Sequence, residues 1–243
     1  MKLDILAFGA HPDDVELSCA GTIMVEIANG KKCGVIDLTQ GELGTRGTIE
    51  TRYSEAESAS KIMGLHIREN LKMADGFFAN DRAHQLLIIQ AIRTYQPEVV
   101  LCNAIYDRHP DHGRSASLVA DASFLSGLRK IETYNTDGTL QPAWKPKQVF
   151  HYIQDKFITP HFVVDITNVH ERKVAAVNCY GTQFFNPNHN EPNTYISTPA
   201  FMESVIYRSK MMGKIIGVPF AEGYISNKAL GITSFDAFIN NAT

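Results

Sequence analysis

The chain has little of what marks a specialised surface or compartment. It carries a single tryptophan among 243 residues, and its four cysteines, Cys19, Cys33, Cys102 and Cys179, stand far apart. Neither the close pairing of a structural zinc site nor the density of a small disulfide scaffold is present, so they read as thiols of a reducing compartment. Charge of one sign is scarce too, with 23 Lys and Arg against 26 Asp and Glu for a net of −3. That gives no field to gather nucleic acid, whose binding is driven by counterion release from phosphates. No apolar run approaches the roughly 18 residues of a membrane span, and the apolar stretch before His11 is too short for a secretory signal. A soluble cytoplasmic protein, with no membrane partner, is the simplest expectation.

Core material is ample: 44% of residues are hydrophobic and 20% charged. The length suits one large α/β domain spanning 1–243. Residues 3–9 (LDILAFG) predict a strand and 16–29 a helix closed by Gly30, and the unit repeats as strand 33–39 and helix 51–63, ending at Gly64. A third strand is expected at 67–73, a helix at 82–95 stopped by Pro97, and a fourth strand at 98–103. Such alternation predicts βαβ units and a Rossmann-like, doubly wound, mainly parallel sheet with helices on both faces. The second half is less regular. Residues 135–147 read as a surface excursion, 149–153 and 162–165 as strands, 169–180 and 202–216 as helices, and 186–198 as a polar loop.

Two clusters carry chemistry. Ala10-His11-Pro12-Asp13-Asp14 follows the first strand and Arg108-His109-Pro110-Asp111-His112 follows the fourth. In a sheet of order 3-2-1-4 those strands are neighbours at the switch point where ligands bind, so both clusters should meet in one crevice. Two imidazoles and one carboxylate are the ligand set of several catalytic zinc sites that keep a position open. A neighbouring carboxylate can then draw a proton from water, and of Asp13 and Asp14 one can serve each task. The plain alternative is that these are turn formers and helix caps, which is how a lone Asp or His in a βα loop usually serves. Convergence of His11, His109, His112, Asp13, Asp14 and Asp111 on one crevice favours the metal. Residues alone do not rank His109 against His112 as ligand.

The loop 41–47 (GELGTRG) follows the second strand and should border the same crevice, but it lacks both phosphate-binding glycine patterns, which argues against a dinucleotide. Arg46, Arg52 and Arg108 are candidate substrate contacts because a guanidinium grips a carboxylate in two places. Tyr195, in the polar loop, is a candidate lid residue. His66, His84, His151, His161, His170 and His189 show no ligating pattern and read as structural.

The AHPDD loop and the downstream HPDH resemble the PIG-L or LmbE-like N-deacetylases, and further matches fall at Asp37-Leu38-Thr39, Gly47-Thr48-Ile49-Glu50, Thr51-Arg52, Asp107-Arg108-His109 and Ala221-Glu222-Gly223. The resemblance implies that His11, Asp14 and His112 hold Zn2+, one per chain, and that Asp13 is the general base. It leaves His109 to assist the oxyanion or the leaving amine, oriented by Asp111. Fe2+, Co2+ or Mn2+ would suit the same donors. It further implies an N-acetylated amino-sugar substrate, nearest to the bacillithiol-pathway branch acting on N-acetylglucosaminyl malate, and a homo-oligomer, often a hexamer. Another N-acetylglucosaminyl conjugate, or a noncatalytic zinc- or sugar-binding module, are the rival readings.

Overall fold

The computed structural model describes residues 1–188 and 190–239. Its centre is a seven-stranded sheet of order β3-β2-β1-β4-β5-β7-β6. The strands are β1 (Ile5–Gly9), β2 (Cys33–Thr39), β3 (Ile67–Met73), β4 (Val99–Cys102), β5 (Gln148–Tyr152), β6 (Phe162–Asp165) and β7 (Ala221–Ser226). Adjacent strands from β3 through β5 run parallel, and only β7 is antiparallel to its neighbours, β5 and β6. The expected 3-2-1-4 order is therefore present in a single mainly parallel α/β domain.

The apolar runs of the inner strands reflect burial on both faces. Along β1, Ile5 and Ala7 join one core cluster while Leu6 and Phe8 join another. The first cluster packs α2 (Ala20–Ala28), α3 (Ile49–Met63) and α6 (His170–Val177) against the sheet. The second packs α4 (Arg82–Tyr95) and α5 (Pro110–Leu125) on the opposite face. Helix ends follow their local chemistry. Thr48 and Thr51 form a reciprocal capping pair at the start of α3, and Gly64 closes it in the left-handed region at φ 77°. The last helix, α7 (Pro199–Ile216), opens with Thr198 capping and Pro199 at its first position.

Two expectations are corrected. The single helix over 16–29 is broken at Cys19 into α1 (Asp14–Ser18) and α2. The break is stabilised from far along the chain: Gly21 N and Thr22 N donate to the two carboxylate oxygens of Glu222 at 2.9 and 2.7 Å. Those are first-turn amides that would otherwise lack partners in the core. The helix expected over 169–180 likewise begins as a 3-10 turn (Thr167–Val169) and ends at Val177. Helix α5 and strand β7 are additions. The first turn of α5 is spent on the HPDH motif, and β7 hides a buried Glu inside a strand, so neither shows a clean apolar period.

Glu222 is also bound by Lys173 at 2.7 Å, both side chains being 2% exposed. Removing one partner of a buried pair leaves an uncompensated charge. Lys173→Met is expected to cost about 3 kcal/mol, the low end for such losses because three donors from Gly21 and Thr22 remain on the carboxylate. Urea unfolding checks this, and a change below about 1 kcal/mol would count against the pair's role.

Candidate active site

The carboxyl ends of β1 to β5 deliver the site. His11, Asp13 and Asp14 follow β1, the glycine loop follows β2, Asp75 follows β3, Asp107, Arg108, His109 and His112 follow β4, and Gln154 follows β5. Together with Thr194, Tyr195, Phe201 and Arg208 they line one cavity of about 300 Å³.

At its floor, one ring nitrogen each of His11, His109 and His112 lie within 4.8 Å of one another, and Asp14 sits between two of the three rings. His112 Nδ1 is 2.5 Å from Asp107 Oδ2, and its Nε2 is 3.0 Å from Asp14 Oδ1. His11 repeats the arrangement: Nε2 is 3.0 Å from Asp75 Oδ1, and Nδ1 is 3.6 Å from Asp14 Oδ2. His11 and His112 thus each have an outer nitrogen facing carboxylates, Asp75 and Asp111 for His11 and Asp107 for His112, and an inner nitrogen turned to Asp14. Ligating histidines are commonly held this way, since the outer hydrogen bond fixes both tautomer and ring orientation.

Charge compensation separates this cluster from its surroundings. The buried carboxylates nearby have guanidinium partners: Asp13 with Arg52, Glu16 and Asp37 with Arg68, Asp111 with Arg114. Asp14, Asp75 and Asp107 pair with imidazoles only, among the described residues. Imidazole and carboxylate donors gathered without a fixed Lys or Arg suit a divalent cation of the zinc class. The residues present therefore fit a metal.

The electrostatics follow the same geometry. Burial disfavours the charged form of His11, yet bonding to Asp111, Asp14 and Asp75 holds its pKa well above the usual range. His112 is opposed by burial but raised by Asp14 and Asp107, to about 9. Burial alone would raise Asp14, yet His112 and His11 hold it well below the usual carboxylate range. Burial lowers His109, with further lowering from His11 and His112.

Asp13 is the strained residue. It has φ 129° and ψ −23°, outside the regions open to side-chain-bearing residues, and it makes no capping bond to α1 although it occupies the cap position. Such a conformation costs on the order of 1–3 kcal/mol and persists where surroundings enforce it. The enforcing group is Arg52, whose Nη1 donates to Pro12 O at 2.6 Å and to Asp13 Oδ2 at 3.1 Å. Burial first, and then Asp14, push the Asp13 carboxyl to about 7 against the opposing pull of Arg52.

His11, Asp13, Asp14, Arg52, Arg108, His109, His112 and Tyr195 all line the cavity, whereas Arg46 and Asp111 do not. Arg46 is 4% exposed and turns toward Glu191, with Nε 3.7 Å from its carboxylate. The glycine loop presents Gly41, Leu43, Gly44 and Thr45 to the cavity, so Arg46 is not placed for substrate. Asp111 does not orient His109 through its carboxylate. Oδ1 accepts from Arg114 Nη1 at 2.5 Å, and Oδ2 accepts from Gly76 N at 2.8 Å and lies 3.4 Å from His11 Nε2. Asp111 is the second residue of α5, so its backbone N–H, not its side chain, points back to His109, donating to Nδ1 at 3.3 Å. To that extent His109 is a helix cap.

Arg52 is also committed, because its Nη2 donates to Gln183 Oε1 at 2.7 Å. Arg108 lies at the mouth, 42% exposed, with Nε 3.3 Å from Asp155 and its guanidinium 4.4 Å from the centre of the Tyr195 ring. Tyr195 OH donates to Asp155 Oδ1 at 3.2 Å. Sequence reasoning does not single out Asp75, Asn103, Gln154 or Gln183, and it meets Asp107 only within the Asp107-Arg108-His109 match, without a role. The other four are scattered along the chain and carry no local signal. The histidines read as structural stand outside the cavity lining, and His189 lies outside the described residues. No helix among the described residues is long and apolar enough to cross a membrane.

A family model described as PIG-L, GlcNAc-PI de-N-acetylase, matches residues 6–123. The chain is 34% identical over 168 residues to YaiS, an uncharacterized deacetylase of Escherichia coli strain K12, in a match covering 64% of this chain and 84% of the relative. It is 27% identical over 229 residues to a diacetylchitobiose deacetylase of Thermococcus kodakarensis, covering 90% of this chain and 81% of the relative. Among solved structures, a conserved protein of Thermus thermophilus superposes with a TM-score of 0.83 at 34% identity, covering 95% of this chain and 98% of the other. By its fold, its motifs, its imidazole-carboxylate centre and these likenesses, the chain belongs to the PIG-L family of metal-dependent deacetylases, hydrolases acting on amide bonds.

Proposed function

We propose that this chain removes the acetyl group from an N-acetylglucosamine-containing substrate, with Zn2+ held by His11, Asp14 and His112. The observation that carries the reading is Asp13, a carboxylate kept in a strained backbone beside the ligand cluster and excused from helix capping. When bound, a divalent metal supplies Lewis acidity, polarising the amide carbonyl and acidifying water. Asp13 would act as the base, a carboxylate at the cavity wall placed to take a proton from attacking water and to give it up afterwards. His109 accepts the Asp111 N–H at Nδ1, which leaves Nε2 as its proton-bearing nitrogen. That nitrogen donates to the developing oxyanion or to the departing amine. The glycine loop and Tyr195 wall the cavity and limit water around the reacting amide.

A noncatalytic module would explain the metal donors but gives no reason to strain Asp13. Likeness to a diacetylchitobiose deacetylase supports a broader substrate class than N-acetylglucosaminyl malate alone. The test is acetate release from diacetylchitobiose, N-acetylglucosaminyl malate and free N-acetylglucosamine, with and without chelator. Release from at least one, abolished by the chelator and restored by zinc, is expected. Release from none, or release indifferent to chelator, would sink the proposal.

His109→Ala is expected to keep the metal and lower kcat by on the order of 10². Loss of metal in that variant, by elemental analysis, would make His109 a ligand and reverse its role with His112. With Arg52 tied to Asp13, Arg108 is the arginine placed to meet an acidic aglycone. Arg108→Ala should lower kcat/KM for the malate conjugate about tenfold more than for the neutral disaccharide. Equal losses on both would remove it from recognition.

A further inference from the structure

We infer that the side-chain amides of Asn103 and Gln154 form a clasp that fixes the Asp14 carboxylate and thereby sets the affinity of the metal centre. The inference rests on the reading of Asp14 as a ligand. Asn103 directly follows β4 and is fully buried, and Gln154 lies just beyond β5, the adjacent parallel strand, and is 3% exposed. Neither belongs to a motif, and their side chains hydrogen-bond to Asp14 and not to the rings of His11 or His112.

The direction of each amide is dictated by its surroundings. Asn103 Oδ1 accepts from Ala10 N at 2.9 Å and from Ser115 Oγ at 2.7 Å. With its oxygen occupied on that side, Nδ2 donates to Asp14 Oδ2 at 2.9 Å and to Gln154 Oε1 at 3.0 Å. Gln154 Oε1 also accepts from Ala104 N at 3.2 Å, which leaves its Nε2 to donate to Asp14 Oδ1 at 3.0 Å. Turning either amide over would set oxygen against oxygen and N–H against N–H, so the network admits one arrangement. Gln154 is anchored in turn by Arg208 of α7, which donates to Gln154 O at 2.5 Å and to Leu17 O at 3.0 Å.

The neutrality of these donors is the point. Asp13, Glu16, Asp37, Asp111 and Glu222 are each met by Arg or Lys, which both orients the carboxylate and cancels its charge. An amide orients without cancelling. Asp14 is gripped at both oxygens by neutral amides, with His11 N as a further donor to Oδ2 at 3.0 Å, so its full charge is kept for a cation. Asn103 and Gln154 are thus positioning residues, acting on the metal through Asp14.

The experiment measures zinc affinity of the full chain by competition with a chromophoric chelator, and the melting temperature of the chelator-stripped protein. Gln154→Met removes the Oδ1 donor at similar size, and Asn103→Ser removes the Oδ2 donor. Each is expected to raise the zinc Kd on the order of 10- to 100-fold. The metal-free Tm of Gln154→Met is expected to fall, because Ala104 N and Asn103 Nδ2 lose a buried acceptor. The readout that a merely structural role would not move is the zinc Kd of the variant measured well below that Tm. The double variant should lose less than the product of the single losses, because both amides act on one carboxylate. Should Asn103→Ser not fold, Ser115→Ala, which only loosens the Asn103 amide, takes its place with an expected weakening of about threefold. Zinc Kd within about twofold of wild type in folded Gln154→Met would overturn the clasp, as would strictly multiplicative losses. A wild-type chain that binds no zinc would instead bring down the metal centre, and the clasp with it.

Discussion

Asp13→Asn is expected to leave the metal in place and remove most of the turnover, lowering kcat by on the order of 10²–10⁴. The substitution keeps the shape of the side chain, and the asparagine oxygen can still accept from Arg52, as Asp13 Oδ2 does at 3.1 Å. What disappears is the ability to take a proton. Asparagine also tolerates positive φ better than most residues, so the strained backbone at φ 129° should survive the change. The checks are single-turnover acetate release at saturating substrate and elemental analysis of the same preparation. A near-normal kcat would mean that Asp13 is not the base, and the strain at this position would then need another explanation. Lost metal would mean that Asp13 helps hold it.

Asp14→Ala should be the more drastic change, giving metal-free protein and no measurable acetate release. Asp14 is the one carboxylate against which both inner imidazole nitrogens rest, at 3.0 Å from His112 and 3.6 Å from His11. Removing it takes the charge from the centre of the cluster and leaves His11 N and the two amides without their acceptor. Ligands contribute jointly to a site, so losing the charged one weakens binding by far more than a positioning residue does. His11→Ala should also strip the metal. Full occupancy in both variants would contradict the ligand assignment, whatever their activity.

The two predictions probe adjacent residues whose opposite fates depend on one turn of chain. Read as letters, Asp13 and Asp14 are interchangeable, and so are His109 and His112. Three-dimensional placement separates them. Asp14 faces two imidazoles, whereas Asp13 faces a guanidinium from α3. His112 has an outer carboxylate in Asp107, whereas His109 spends Nδ1 on a backbone amide of its own helix. Arg46 and Asp111 show the reverse case, since a place in the 41–47 loop and in the HPDH motif made them candidates while their side chains turn to Glu191 and to Arg114.

What the residues determined unaided was periodic or contiguous. Strands buried on both faces must be apolar, so β1, β2 and β4 could be read from their runs, while the edge strand β3, polar and half-exposed, follows from the strand-helix alternation. The 3-2-1-4 order then brings the two His-Asp clusters to one crevice. What only the tertiary structure decided was everything that depends on partners distant in the chain. Asp75 reaches His11 from 64 positions away, Asn103 reaches Asp14 from 89, Gln183 reaches Arg52 from 131, and Glu222 reaches the break before α2 from about 200. A polar side chain buried on its own is costly and buried with a partner is not, and that difference is invisible until the chain has closed on itself. So the candidate donors stand in contiguous motifs, while Asp75, Asn103 and Gln154, which hold His11 and Asp14, and the carboxylate that both imidazoles face come together only at the packed sheet edge.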